Sequence, residues 1–160
     1  MDDIRDLEKY HLKQIRDIIA NTYYKLPIKL QLSLSTTEED TKESFDVVVN
    51  SKLKISVRLR KWRYFLGHKD FTIRSKTKHG NKTEIDKLKE GYGQFYLYGW
   101  LDDKEEYIKQ WVMVDINKFR PYLNNPISKN IPNGDGTCFN AYSLNQIASC
   151  GAGIASSNPQ

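Results

Sequence analysis

Between residues 53 and 60 the chain alternates without a break. Leu53, Ile55, Val57 and Leu59 are apolar, while Lys54, Ser56, Arg58 and Arg60 are polar or basic. Successive side chains of a β-strand point to opposite faces, so this pattern specifies a strand with one face for a core and one face carrying positive charge. Residues 45–50, Phe-Asp-Val-Val-Val-Asn, read as a short apolar strand, and Ser51-Lys52 as the tight turn joining the two. A hairpin follows, with the acid Asp46 at its head and a row of bases along its second strand.

The remaining chain is organised around that hairpin. Ile4, Leu7, Ile15, Ile18 and Ile19, with His11 in the same row, mark a helical stripe over residues 2–24 that Pro27 ends. Ile28, Leu30, Leu32 and Leu34 alternate with polar residues and predict a strand over 28–34, followed by an acidic loop at 35–44. Past residue 60 an aromatic and basic loop leads to a third strand at 71–75. Residues 76–82 form a basic loop, and Thr83 caps a helix over 84–90 that Gly91 and Gly93 stop. Strands are expected at 94–100 and 107–116, a short helix at 117–123, a loop at 124–137 and a last strand at 138–144. Tyr92, Tyr96, Tyr98, Trp100, Tyr107 and Trp111 read as sheet core with polar tips. The expected fold is α/β (α+β). Residues 1–146 form a single domain, a central mixed β-sheet with a core hairpin flanked by helices, and 147–160 a weakly ordered tail. A chain of 160 residues is long enough for one such core.

Charge narrows the function classes. The formal net charge is +5, but it is unevenly distributed. Residues 52–89 hold thirteen Lys or Arg against three Asp or Glu, whereas residues 1–46 hold ten acids against seven bases. A basic middle on a balanced chain is the footprint of an anionic partner. From residue 58 to 74, Arg58, Arg60, Lys61, Trp62, Arg63, Tyr64, Phe65, His68, Lys69, Phe71 and Arg74 interleave bases with aromatic rings. Bases neutralise phosphates and exposed rings stack on unpaired bases. Nucleic acid is therefore the expected partner, bound through Arg58, Arg60, Lys61, Trp62, Arg63, Arg74, Lys76 and Lys78. No apolar run approaches a membrane span, and the acidic, helix-patterned start is unlike a secretion signal, so a cytoplasmic site, in a host cell if the source is viral, is expected. Cys138 and Cys150 are expected as free thiols, and His11, His68 and His79 make no zinc pattern.

This arrangement resembles the PD-(D/E)XK nuclease-like family, the restriction-endonuclease-like fold of many restriction enzymes and phage nucleases, over roughly residues 2–116. The resemblance implies that Asp46 is the first acid, and that the next strand carries an acid and a Lys spaced by one. Here that position reads Ser56-Val57-Arg58, so Arg58 stands in the Lys place and a carboxylate is missing at Ser56. Some members move the second acid onto the following helix, which points to Glu84. Asp70 and Glu8 are the further candidates. The implied activity is metal-dependent DNA endonuclease chemistry, with Asp46, Arg58 and Glu84 catalytic and Mg²⁺ or Mn²⁺ held by Asp46, Glu84, Asp70 and Glu8. The alternative is a catalytically degenerate nucleic-acid-binding or inhibitor protein on the same fold. Small nucleases of this fold often act as homodimers, which the resemblance implies as a further partner.

Overall fold

The protein is described by a computed structural model, which covers residues 10–23, 32–34, 47–49 and 53–157. In chain order the elements are α1 (Leu12–Tyr23), β1 (Leu32–Leu34), β2 (Val47–Val49), β3 (Leu53–Arg60), α2 (Trp62–His68), β4 (Asp70–Lys76), α3 (Glu84–Lys89), β5 (Phe95–Leu101) and β6 (Ile108–Asp115). They continue as α4 (Ile116–Phe119), a 3-10 turn (Arg120–Asn124), β7 (Ser128–Pro132), β8 (Cys138–Ser143), α5 (Leu144–Ser149) and β9 (Gly153–Ser156). No helix among the described residues is long and apolar enough to cross a membrane.

The strands form two sheets. One has six strands in the order β1-β2-β3-β5-β6-β9, the other three in the order β4-β8-β7. The expected hairpin is present, with Val47 opposite Ile55 and Val49 opposite Leu53 in an antiparallel pair. β3 then pairs with β5 in parallel, so that Ser56 faces Tyr96, Arg58 faces Tyr98 and Arg60 faces Trp100. The mixed α/β character expected from the sequence is thus the observed one.

Strand alternation divides the core in two. Ile55, Val57 and Leu59 join Leu97, Leu101 and Met113 against Ile15, Ile18 and Ile19 of α1. The Gln14 side chain ties α1 down as a strand would, accepting from the Ile108 amide at 2.7 Å and donating to its carbonyl at 2.9 Å. On the other face Tyr96, Tyr98 and Trp100 pack against Phe71, Ile73 and Tyr142 of the small sheet and Ile85 and Leu88 of α3. Phe71 sits at its centre, edge-on to Tyr96 and Tyr98 at 5.2 Å each. Burial of one such ring is worth about 2–3 kcal/mol, and the edge-to-face geometry adds to it.

Four segments differ from expectation, one of them the expected loop at 124–137, within which Ser128–Pro132 form β7 and pair with β8. Residues 62–68 are a helix, α2, because Trp62 and Phe65 lie one turn apart and stack at 4.7 Å, with Phe65 seated on Trp100 at 5.0 Å. β4 does not extend the hairpin sheet but pairs with β8, with Phe71 opposite Tyr142. Residues within the expected tail form α5 and β9, where β9 lines the edge of β6 and Ser143 and Gln146 cap α5 reciprocally. The cap at Thr83 is as expected, and Asp86 returns the bond to the Thr83 amide at 2.9 Å.

Candidate functional site

The even-numbered face of β3 does not face solvent. It is closed over by α3 and the small sheet, and its polar residues form a seam between the layers. Ser56 is 3% exposed. Arg58 donates from Nη2 to Glu84 Oε2 at 3.1 Å. The same oxygen accepts from the Arg74 backbone amide at 3.0 Å, and Tyr96 donates its hydroxyl to Glu84 Oε1 at 2.7 Å. One carboxylate therefore joins β3, β4, β5 and α3. Local sequence puts it there: the reciprocal Thr83–Asp86 cap starts α3 one residue before Glu84.

A second polar contact lies deeper. The Thr72 and Tyr98 hydroxyls meet at 2.8 Å in the buried layer. Burial pushes the Tyr98 phenol upward, against the pull of Arg60, Arg58 and the Thr72 hydroxyl. Burial likewise pushes the Asp70 carboxyl up, while the charges of His68 and Arg60 draw it down.

Arg60 is held differently from Arg58. Its guanidinium carbon stands 4.7 Å from the Tyr64 ring centroid and 5.7 Å from that of Phe139. Its Nε is buried and has no hydrogen-bond partner among the described residues. Arg63 stands 5.0 Å from the same Tyr64 ring and donates to its hydroxyl at 3.2 Å. Lys61 is paired with Glu105 at 2.7 Å. Trp62 is partly buried between Phe65 and Lys109, whose Nζ lies 4.0 Å from the ring centroid. Arg63, Tyr64, Lys69, Lys76 and Lys78 are exposed.

Of the candidate acids, Glu84 is brought to Arg58 and Asp70 into the field of Arg60 and His68, while Asp46 and Glu8 lie outside the described residues. No group of three His, Cys, Asp or Glu gathers among the described residues. Mg²⁺ is a hard cation that takes carboxylate oxygens and waters. Glu84 offers it a poor fit, since its oxygens already accept three donors and one of them is a guanidinium whose charge opposes a dication. Tyr96, Tyr98, Thr72 and Phe139 were not legible as site residues. The one signal was parity, because Tyr96, Tyr98 and Trp100 fall every second residue and so share a face, like the polar row of β3. No known family model matches this chain, and no curated protein and no solved structure matches it.

Proposed function

We propose that this protein binds nucleic acid, with DNA the foremost partner, as a non-cleaving relative of the PD-(D/E)XK nuclease-like family. The observation that carries the reading is the state of the two residues on which cleavage depends. Arg58 and Glu84 are spent on each other, on the Arg74 amide and on Tyr96, and the position that calls for an acid holds the buried Ser56. The exposed charge lies elsewhere, on α2 and along β4 and the turn beyond it: Arg63, Lys69, Lys76 and Lys78. β4, from Asp70 to Lys76, runs about 20 Å, the axial length of roughly six base pairs of a duplex.

The test is a gel shift on single-stranded and duplex DNA and on RNA across a salt series, in Mg²⁺ and in EDTA. Binding that weakens steeply with salt and is unchanged by EDTA is the expected result. Failure to bind any of the three at low salt would overturn the reading in favour of a protein-interaction module.

Metal-dependent cleavage is the second reading, favoured by the placing of Glu84 beside Arg58, where the family resemblance puts a displaced acid. Its test is cutting of supercoiled DNA in Mg²⁺ or Mn²⁺ that Asp46→Ala and Glu84→Gln each abolish.

A further inference from the structure

Arg58 has a carboxylate; Arg60, two residues along on the same face, has two aromatic rings instead. Tyr64 comes from α2 and Phe139 from β8, so three elements converge on one guanidinium. Rings over a guanidinium hold its plane but accept nothing from its N–H groups. The buried Nε–H is left without a partner among the described residues, a state that folded proteins seldom tolerate without a use. Tyr64 is 38% exposed, so the clamp reaches the surface, and Arg63 flanks it there.

An immobilised guanidinium with unspent donors matches two oxygens of a phosphate or carboxylate. The exposed bases that follow at Lys69, Lys76 and Lys78 favour a ligand with repeated negative charge, which is the chemistry of a nucleic-acid strand.

We propose that Arg60, clamped by Tyr64 and Phe139, receives one phosphate group of the bound strand. This rests on the nucleic-acid reading above. The clamp fixes the fork before the ligand arrives, so a lysine, which has no plane to stack and no fork, does not substitute for it.

Two measurements separate the subsite from the reading. The first is an ¹H–¹⁵N spectrum of the arginine Nε–H region. The resonance missing in Arg60→Lys is expected to move as inorganic phosphate is added and to stay in place with chloride at matched ionic strength. A resonance that ignores phosphate, or follows chloride equally, overturns the subsite. So does one that moves as readily with a glutamate-rich peptide, which assigns the clamp to an acidic protein partner.

The second is the affinity of a short fluorescein-labelled oligothymidylate. Arg60→Lys should weaken it about tenfold, the loss of one charged hydrogen bond, and Phe139→Leu should weaken it by loosening the clamp. Lys78→Ala should flatten the salt dependence by about one phosphate and leave the phosphate-induced shift intact. Equal affinity in wild type and Arg60→Lys overturns the subsite and spares the reading. No binding by the wild type at low salt overturns the reading, and with it the strand as the source of the phosphate.

Discussion

Arg58 and Glu84, 26 residues apart in the chain, meet at 3.1 Å with side chains 14% and 15% exposed. The pair joins the charged face of β3 to the start of α3. Removing one partner takes a close opposite charge away from a largely buried one, which costs about 3–5 kcal/mol in such pairs. Glu84→Ala is therefore expected to lower unfolding free energy by about 3 kcal/mol in a denaturant titration. Glu84→Gln should cost less, because an amide oxygen still accepts from one of the three donors. The double variant with Arg58→Met should recover part of the loss. A Glu84→Ala protein as stable as wild type would show that the pair is loosely held.

The Thr72–Tyr98 contact makes a second, separable prediction. Tyr98→Phe leaves the buried Thr72 hydroxyl without this partner, at a cost of about 1–3 kcal/mol. Thr72→Val added to Tyr98→Phe removes the orphan as well and should be less harmful than Tyr98→Phe alone. A double-mutant cycle with zero coupling between the two sites would count against the contact.

Gly99 lies where β5 passes between Leu59 and Ile108. A Cβ there would stand 3.0 Å from Leu59 Cδ2 and 3.0 Å from Ile108 Cγ2. Gly99→Ala is expected to cost about 1–3 kcal/mol by overpacking, seen as a lower Tm. Leu59→Val, which withdraws one of the two methyl groups, should offset part of it. An alanine variant as stable as the wild type would mean that both side chains yield without cost.

Asp70 gives a pH dependence of unusual sign. Its carboxyl is raised above 3.8, chiefly by burial, so the folded state binds its proton more tightly than the unfolded chain. Stability is therefore diminished by Asp70 above its folded value, and the penalty lifts as pH falls through that value toward 3.8. Asp70→Asn should be more stable than wild type at neutral pH, with the two converging below 3.8. Equal unfolding midpoints at neutral pH would sink this.

Asp102 has the opposite sign. Burial works against its charge, but the amides of Tyr107, Glu106 and Lys104 outweigh burial and hold the carboxyl below 3.8. Its contribution is present above 3.8 and lost as pH falls below it. Asp102→Asn should lower Tm at neutral pH, where the carboxylate is charged, and the gap should narrow in acid. A gap that is constant with pH would mean that the carboxylate charge does not matter there.

Much of the architecture was legible because it is local. The alternation at 53–60, the Thr83 cap and the strands at 94–100 and 107–116 depend on neighbours in sequence, and they are observed as β3, α3, β5 and β6. Residues 62–68 were not legible as a helix, since Trp62 and Phe65 have a reason to align only when Trp100 offers them a seat. β9 was missed for a similar reason. Gly153 to Ser156 carry little pattern of their own and are ordered by the free edge of β6. Asp46 and Glu8, on which the metal reading leans, lie outside the described residues, whereas Glu84 was found at the start of its helix as expected.

By itself the sequence determined that β3 has an apolar and a charged face, because a strand's side chains alternate whatever surrounds them. It determined that the middle of the chain is basic and that α3 starts at its cap. What covers the charged face was decided only by tertiary structure. Pairing β4 with β8 builds a second layer over β3, and the parallel register of β3 with β5 brings the Tyr96 and Tyr98 hydroxyls to it. A row of arginines can be enclosed only where opposite charge or aromatic rings arrive from distant segments. Glu84 meets Arg58, while Tyr64 and Phe139 meet Arg60. Periodicity fixes which face a side chain takes, but the partner it finds there depends on contacts between segments that no local pattern encodes.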